Sequence, residues 1–401
     1  MVLQRLARSA LSLAAHRLAH AVPRDDSLWA FGCRGGEGFE GNAKYLFLHV
    51  ATRKDVRAVW LSKNEETVRE LRKYGFDAHQ VGTRQGTNTL LRAGTVFITG
   101  SLTGVPLWPT GGARVIQLWH GVPLKRIGAD APRFADRSLV DRLATLYTYR
   151  QFDAITVTAA RLQSYVADAF RTDADCPVTG YPRNDALFRQ IPGERICQPA
   201  DVHDEVAELD AAWTYAYVPT YRENGRSPAG HIDFAALDAF LAERDAAMLM
   251  KFHPFDEPAL DPDAFDRIHV LPPEFDLYPA LRHVDTLVTG YSSIYVDYLL
   301  TDRPVAFYAF DRDRYADESG FYLDYDDVTP GPVAATFDEL LDALDSLRTN
   351  PDADADERER IRNLVFDHAD GHAAERVRRY ATEPSQTRVE RIETPVGHSP
   401  R

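Results

Sequence analysis

The stretch ARVIQLWHGVPLK, residues 113–125, joins an apolar run to a loop that carries a histidine and a lysine. The run ARVI has the continuous apolar character of a β-strand that is buried on both faces. His120 follows this strand, Gly121 lets a ligand approach the backbone closely, and Pro123 stiffens the loop. The stretch therefore predicts a buried parallel strand that delivers polar side chains to one edge of a sheet.

Nine other runs predict strands of the same kind, and together with this one they form two series. The first series contains SLWAFGC, RAVWLS, TVFITGS and AITVTA, and the second contains TYAYVPTY, AAMLMKFH, RIHVLP, DTLVTG and PVAFYAF. Helical patterns such as EETVRELRKYG separate the runs. Apolar strands that alternate with helices are typical of parallel sheets covered on both faces. The fold class that we predict is α/β, with two doubly wound, Rossmann-like domains.

Prolines and charges interrupt this periodicity between the two series, and the interruption sets the domain limits that we predict. The N-terminal domain spans residues 25–190, a linker spans 191–208, and the C-terminal domain spans 209–382. Residues 383–401 are predicted to be a disordered tail.

Composition narrows the classes of function. The chain has 401 residues and a net charge of −14, which argues against a nucleic-acid partner because such proteins normally show a basic face. Lysine occurs at only six positions, so the acidic surface predicts a salt-adapted protein or reflects a genome rich in arginine codons. Three cysteines without a C-x-x-C motif favour a reducing compartment, and no apolar run is long enough to span a membrane. We therefore expect a cytoplasmic protein.

Residues 1–24 differ from the rest of the chain because they hold four arginines and no acidic residue. Apolar residues recur in this segment at helical spacing: Leu3, Leu6, Ala10, Leu13, Ala14 and Leu18. The pattern predicts a basic amphipathic helix that either binds an anionic membrane surface through residues 1–22 or docks on the body of the protein.

The candidate site residues follow the predicted strands, because ligands of open parallel sheets bind beyond the carboxyl ends of the strands. His120 can accept a proton from an attacking hydroxyl at neutral pH. Arg222 follows one strand of the second series, and Lys251 and His253 follow the next. These positively charged groups favour a phosphate or diphosphate ligand.

The segment TGYSSIYVDYLL predicts a strand, a turn and a helix that begins at Ser292 or Ser293. A serine at a helix start, with free backbone N–H groups, can bind an anion. Asp297 lies four residues after Ser293 and so shares its helical face. The sequence therefore also predicts an anion-binding site at the start of this helix.

Seven motifs in order resemble the CDP-glycerol glycerophosphotransferase family, which includes teichoic-acid polymerases and primases. They are QLWHGVPLK, TGYPRND, YVPTYREN, KFHP, TGYSSIYVDYLL, RPVAFY and DGHAAERV. The resemblance implies a GT-B-like fold, in which an N-terminal acceptor domain and a C-terminal CDP-donor domain face each other across a cleft. It also implies transfer of glycerol phosphate, or a related polyol phosphate, from a CDP-linked donor to a hydroxyl of a glycan or lipid-linked acceptor, with release of CMP.

The resemblance further implies roles for individual residues. His120 and His253 are the catalytic histidines, and either one could be the base. The donor phosphates are bound by the positions that match the family motifs, together with the lysine of KFHP: Arg222, Lys251, Ser292 and Ser293. A further group supports the site: Gly121, Lys125, Arg183, Asn184, Asp185 and Asp297. The family needs no metal ion or other cofactor, so we expect none here.

Two other functions compete with this prediction. A GT-B glycosyltransferase that uses a nucleotide sugar has the same architecture, and Asp311 and Asp313 form the D-x-D pattern by which many such enzymes bind a metal ion. A binding protein without catalytic activity is the other alternative. The presence of both His120 and His253 argues against it.

Overall fold

The computed structural model describes residues 2–33, 35–100, 104–220, 228–253, 264–312, 320, 322 and 324–383. Within these residues the chain forms two six-stranded sheets. The strands of the first sheet are β1 (Asp25–Gly32), β2 (Arg57–Ser62), β3 (Ala78–Gln80), β4 (Ala93–Ile98), β5 (Arg114–Gln117) and β6 (Ala154–Ile155). Those of the second are β7 (Trp213–Val218), β8 (Ala246–Met250), β9 (Ile268–Val270), β10 (Thr286–Thr289), β11 (Val305–Tyr308) and β12 (Val333–Ala334).

Helices connect and cover the strands. The helices before β7 are α1 (Val2–Ala19), α2 (Gly41–Val50), α3 (Glu65–Lys73), α4 (Arg84–Arg92), α5 (Pro132–Ala135), α6 (Leu139–Tyr149), α7 (Gln163–Phe170), α8 (Asp185–Phe188) and α9 (Ala200–Ala207). Those after β7 are α10 (Phe234–Glu243), α11 (Leu277–Ala280), α12 (Ile294–Tyr298), α13 (Phe337–Thr349), α14 (Ala355–Val365) and α15 (Ala373–Thr382). Among the described residues, no helix combines the length and the apolarity that crossing a bilayer requires.

Both sheets have the same strand order. The first runs β3-β2-β1-β4-β5-β6 and the second runs β12-β11-β10-β7-β8-β9, with every pairing parallel. Each is a doubly wound sheet whose strand order reverses beside its first strand, so the predicted α/β, Rossmann-like fold class is confirmed. The sequence did not predict β3 and β12, which are edge strands of three and two residues.

Continuous burial explains why the strands read as apolar runs. Every residue of β4, β8, β10 and β11 is buried, as expected for strands with helices on both faces. Each buried Val, Leu, Ile or Phe side chain contributes about 1.5–3 kcal/mol through removal of apolar area from water. This burial fixes the register and so fixes which residues appear at the strand ends.

Each sheet with its covering helices forms one unit of the fold, and two buried ion pairs join the first unit to the second. The Lys44 ammonium on α2 donates to Asp276 Oδ2 at 2.7 Å, and the lysine side chain is fully buried. Burial by itself raises the pKa of Asp276. The positive charge of Lys44 and the hydrogen bonds that Asp276 accepts nevertheless hold that pKa below its usual value. Arg183 Nη2 donates to Asp297 Oδ2 at 2.6 Å, and Asp297 is also fully buried. The two units are thus held together by charges that are largely shielded from water.

The end of the described chain returns to the first sheet. Glu375 on α15 accepts a hydrogen bond from His49 on α2 at 2.9 Å, and Arg114 at the start of β5 donates to the carbonyl of Tyr380 at 3.2 Å. The predicted linker 191–208 contains α9. The domain limits stay a prediction, and all but the first residue of the predicted tail lies outside the described residues.

Helix α1 is present as predicted, and its C-terminal half docks on the body of the protein. His16 and Ala19 are buried, and the Nδ1 atom of His16 lies 3.3 Å from the hydroxyl of Tyr147 on α6. Arg24 follows the helix and donates to the carbonyls of Leu90 and Ala19, at 2.6 and 3.1 Å. The docked face is not the predicted apolar face, because Leu13 and Leu18 are exposed.

Candidate active site

A cleft of about 810 Å³ opens where the carboxyl ends of the two sheets meet. The first unit contributes the loop after β5 together with Glu40, which precedes α2. The second contributes the ends of β7 and β8 and the turn after β10: Val218, Pro219, Thr220, Lys251, Phe252, His253, Tyr291, Ser292 and Ser293. The structure therefore brings predicted site residues from both sheets into one cleft beside the points where strand order reverses.

Local hydrogen bonds fix the loop that carries His120. Trp119 has a positive φ of 53°, and its N–H donates to Gln117 Oε1 at 2.9 Å. Asn42 at the start of α2 donates through Nδ2 to the carbonyls of Leu118 and Trp119, at 3.0 and 2.9 Å. The indole of Trp119 lies 4.2 Å from the imidazole of His120 between ring centroids. The histidine is thus held half-buried at the cleft wall.

Gly121 lies at the closest approach of the two units. Its φ is +151°, and a Cβ atom at this position would lie 2.7 Å from Ser293 Oγ of the second unit. Its carbonyl accepts a hydrogen bond from the hydroxyl of Tyr181 at 3.1 Å. A side chain here would both strain the backbone and push the units apart, so only glycine suits the position.

The second unit also holds the end of this loop, where Lys125 lines the cleft. The Tyr322 N–H donates to the carbonyl of Leu124 at 2.9 Å, and the Arg126 N–H donates to the carbonyl of Gly320 at 3.2 Å. Lys125 lies between these two backbone bonds and is half-buried. These bonds fix the backbone from which the Lys125 side chain reaches the cleft.

Lys251 lies in an unexpected electrostatic environment. Its Nζ donates to the carbonyl of Pro273 at 2.7 Å, and burial lowers its pKa. The carboxylates of Asp276, Glu40 and Glu274 oppose that shift. The ammonium is thus anchored at the cleft wall beside negative charge, and its predicted contact with a donor phosphate stays a prediction. His253 lines the same cleft two residues further on.

The helix after β10 has a serine at its N-cap position, as the sequence predicts. Ile294 is its first residue and Ser293 occupies the N-cap position, but the Ser293 side chain does not cap the helix. Ser292 Oγ instead accepts the Ile294 N–H at 3.4 Å. Both serines line the cleft, and their role in phosphate binding stays a prediction. Arg222 lies outside the described residues.

The supporting residues of the TGYPRND motif join parts of the fold. Asn184 Nδ2 and the hydroxyl of Tyr278 donate to Asp297 at 3.1 and 2.6 Å, beside the Arg183 ion pair. Asp185 accepts the N–H groups of the first two residues of α15, at 2.8 and 3.0 Å, and so caps that helix. Burial raises the pKa of Asp185. The side chains of Arg183, Asn184, Asp185 and Asp297 thus bind protein groups of other elements. Arg183 Nη2 would also lie 3.5 Å from a Cβ atom at Gly121.

Of the two residues of the metal-binding alternative, only Asp311 lies in the described part of the chain. Asp311 Oδ1 accepts a hydrogen bond from the hydroxyl of Tyr291 at 3.1 Å, and Asp313 lies outside the described residues. Within the described ranges, no group of three or more His, Cys, Asp or Glu side chains is placed to hold a metal ion.

Sequence reasoning missed Glu40 and Asn42. Glu40 is the only acidic side chain among the described residues that line the cleft, and Asn42 ties the His120 loop to the backbone N–H of Arg183 at 3.2 Å. A usable signal was present in GNAKYLFLHV, because Asn42 and Lys44 interrupt a buried apolar helix. Buried polar residues in such a helix need partners and so indicate long-range contacts.

The geometry suits transfer of an anionic group. Two imidazoles and two ammonium groups line a cleft that has one carboxylate among its described wall residues. Such groups can stabilise charge on a phosphoryl oxygen and accept a proton from an attacking hydroxyl.

Comparison with known proteins identifies the family and the fold. The family model for CDP-glycerol:poly(glycerophosphate) glycerophosphotransferase matches residues 14–383. The teichoic acid ribitol-phosphate polymerase TarL of Staphylococcus aureus is 29% identical over 66% of this chain and 46% of its own length. The teichoic acid glycerol-phosphate transferase of the same species is 27% identical over 85% of this chain and 89% of its own length.

The chain spans about half the length of the first two curated relatives. Among solved structures, the wall teichoic acid polymerase TagF in an H444N variant matches with a TM-score of 0.76 and 20% identity, over 97% of this chain and 98% of that chain. The same fold extends to a UDP-N-acetylglucosamine 2-epimerase of Listeria monocytogenes, at a TM-score of 0.55 and 14% identity. Structural likeness thus establishes the GT-B-like fold alone. The family model, which covers nearly the whole described chain, establishes that this protein belongs to the CDP-glycerol:poly(glycerophosphate) glycerophosphotransferase family.

Proposed function

We propose that the chain transfers a polyol phosphate, with glycerol phosphate as the first candidate, from a CDP-linked donor to a hydroxyl of a glycan or lipid-linked acceptor. The acceptor oxygen forms a bond to the phosphorus that bears the polyol, and the bond from that phosphorus to the bridging oxygen breaks. The hydroxyl proton passes to a histidine, and CMP leaves with the electron pair. No oxidant, reductant or further co-reactant is needed.

One observation carries this proposal: imidazole and ammonium groups from both sheets converge on one cleft in a chain of this family. His120 and Lys125 come from the first sheet, and Lys251 and His253 come from the second. A cleft between two doubly wound units can hold the donor on one wall and the acceptor on the other. The proposal also draws on the relatives, since one TagF structure is of a histidine-to-asparagine variant soaked with CDPG.

We assign the residue roles as follows. His120 or His253 takes the proton, and the other histidine stabilises charge on the diphosphate. Lys251, Ser292 and Ser293 bind the donor phosphates together with Arg222. Phosphoryl transfer depends mainly on such positioning and charge stabilisation, so these groups replace a divalent ion and we propose that no metal is required.

A donor panel tests the proposal. The purified chain is incubated with an acceptor and with CDP-glycerol, CDP-ribitol or a UDP-sugar, and nucleotides and products are identified by mass spectrometry. We expect CMP and an acceptor enlarged by one polyol phosphate. Release of a nucleoside diphosphate from a sugar donor would instead favour the glycosyltransferase, and binding without turnover would favour the binding protein.

Two histidine variants test the roles. His120→Ala and His253→Ala should each lower turnover by at least about 10²-fold, the usual loss for an acid–base or charge-stabilising group. A pH profile separates the roles, since only loss of the base removes the acidic limb of kcat. Turnover close to normal in either variant, at unchanged thermal stability, would exclude that histidine.

We further propose that the enzyme works on the inner face of the cell membrane. Helices α1 and α6 meet at His16 and Tyr147 and expose a set of large apolar side chains that we call the α1–α6 surface. Its members are between 36% and 75% exposed: Leu11, Leu13, Leu18, Leu139, Val140 and Leu143. Exposed arginines lie beside them, namely Arg17, Arg137 and Arg142. Apolar side chains with neighbouring cations favour an anionic lipid surface.

The free cysteines support a location inside the cell. Cys33, Cys176 and Cys197 form no disulfide with one another. Unpaired thiols are typical of a reducing compartment.

A further inference from the structure

A second cavity lies beside the catalytic cleft and shares Glu40 with it. It has a volume of about 1380 Å³ and runs between helices α2 and α3 on one side and residues 189–200 on the other. Sites for single small ligands usually measure about 300–1,000 Å³, so this cavity has room for a longer molecule. We call it the α2–α3 groove.

The charge of the groove is opposite to that of the catalytic cleft. Seven carboxylates line it: Glu37, Glu40, Glu66, Glu70, Asp185, Glu194 and Glu274. Only two guanidinium groups line it, and both already bind protein oxygens. Arg195 pairs with Asp204 at 2.6 Å, and Arg189 donates to the carbonyl of Gly371. The groove therefore offers little positive charge to a phosphate.

Partners within the protein neutralise some of these carboxylates but not all of them. Glu70 pairs with Lys73 at 2.5 Å, and Glu194 pairs with Arg282 at 2.5 Å. Glu37 and Glu274 have no ion-pair partner within the described residues, and both are exposed. Glu274 acts electrostatically on Lys251, as Glu40 does. Two carboxylates of the groove, Glu40 and Glu274, thus lie near Lys251 of the catalytic cleft.

The remaining wall suits an uncharged, polyhydroxylated chain. The ring of Tyr74 is 59% exposed and faces a groove that also contains the partly buried ring of Phe76. Two exposed residues with side-chain amides face each other across the groove, Asn64 at the start of α3 and Gln190 in the opposite segment. Aromatic rings pack against sugar faces, and amides and carboxylates accept or donate hydrogen bonds to sugar hydroxyls.

We propose that the α2–α3 groove binds the acceptor as an uncharged glycan, and that its carboxylates disfavour acceptors that already carry phosphodiesters. The acceptor hydroxyl would reach the catalytic cleft past Glu40. Because a transferred polyol phosphate is anionic, the product would bind this groove less well than the starting glycan. The enzyme would then add one or a few units to a neutral primer, an inference that rests on the proposed function.

Binding without the donor tests the groove directly. Isothermal titration calorimetry of the full chain would compare an uncharged alkyl disaccharide glycoside with an alkyl-linked tri(glycerol phosphate) at low salt. We expect the glycoside to bind at least about tenfold more tightly, because each carboxylate repels a phosphodiester at close range. The difference should shrink at about 1 M salt, where the Debye length is about 3 Å.

Variants then test the named side chains. The double variant Glu37→Gln and Glu274→Gln should tighten binding of the tri(glycerol phosphate) by about five- to tenfold and leave the glycoside within about twofold. Tyr74→Ala should weaken the glycoside alone. Glu65→Gln is the matched control, because Glu65 is exposed on the same helix as Glu66 but does not line the groove.

The results separate this inference from the proposed function. Preferential binding of the tri(glycerol phosphate), or the same preference in the double variant as in the wild type, would overturn the groove assignment even if CMP is released. Preferential glycoside binding without CMP release from any donor would leave the groove assignment standing and would remove the proposed reaction.

Discussion

The buried ion pair between Arg183 and Asp297 should be essential for stability, and Asp297→Asn is the perturbation that tests this. Asparagine keeps the shape of the side chain but removes the charge that faces the guanidinium. Arg183 is only 11% exposed in its side chain, so its charge would remain buried without compensation. Removing one partner of a buried pair costs about 3–5 kcal/mol, which is a large fraction of the about 5–15 kcal/mol that stabilises a typical domain.

The assay is urea denaturation at pH 7, followed by tryptophan fluorescence. Asp297→Asn should lower the free energy of unfolding by about 3–5 kcal/mol, and Arg183→Met should have a similar effect. The double variant should cost less than the sum of the two single variants by at least about 1 kcal/mol, because it leaves no buried charge unpaired.

A surface pair provides the matched control. Asp302 pairs with Arg362 at 3.1 Å, but its side chain is 57% exposed. Asp302→Asn should therefore change stability by less than about 1 kcal/mol. If Asp297→Asn cost as little as Asp302→Asn, or if the double variant were simply additive, the buried pair would not be what holds the two units together.

Three further outcomes are expected. EDTA should leave turnover nearly intact, and an absolute need for added magnesium or manganese would contradict the proposed roles of Lys251 and Ser292. Burial lowers the pKa of His203 to about 4, below its unfolded value of 6.5, so protonation destabilises the fold as the pH falls from about 6.5 towards 4. In urea denaturation, His203→Phe should reduce the fall in the free energy of unfolding between pH 6.5 and 4. An unchanged dependence of that free energy on pH would exclude His203 as its cause. Leu18→Glu combined with Leu143→Glu should reduce sedimentation with anionic liposomes by at least about tenfold. Val333 is exposed on β12, away from this surface, so Val333→Glu is the control and should leave sedimentation unchanged. Equal sedimentation of the double variant and the control would exclude the α1–α6 surface as the lipid contact.

The strand pattern was readable from the sequence because burial on both faces leaves long apolar runs. Strand β2, for example, coincides with the predicted run RAVWLS. The edge strands β3 and β12 were missed because two or three residues carry too little pattern. They pair only on one side and depend on the neighbouring strand for their conformation.

Helix α1 shows why a correct helix prediction did not give its packing. The apolar spacing identified the helix, but the body contacts the face that carries His16 and Ala19. The docking depends on Arg24 and on carbonyls up to 87 residues away, which no local pattern encodes.

The site was predictable where it follows strand ends and unpredictable where it depends on distant contacts. Each of His120, Lys251 and His253 follows the carboxyl end of a parallel strand, and they line one cleft because the carboxyl ends of the two sheets face each other. Asp185 caps a helix that begins 188 residues later, so its partner could not be read from the motif. Glu40 lies in a glycine-rich loop, and its place at the cleft likewise depends on contacts with residues distant in the sequence.

The most direct test of the central claim follows the label from CDP-glycerol in which the phosphorus that bears glycerol is isotopically marked. Attack at that phosphorus should transfer all of the label to the acceptor and release unlabelled CMP, at a rate that falls at least about 10²-fold in His120→Ala and His253→Ala. Label that remains on the released nucleotide, or transfer at an unchanged rate in both variants, would contradict the account.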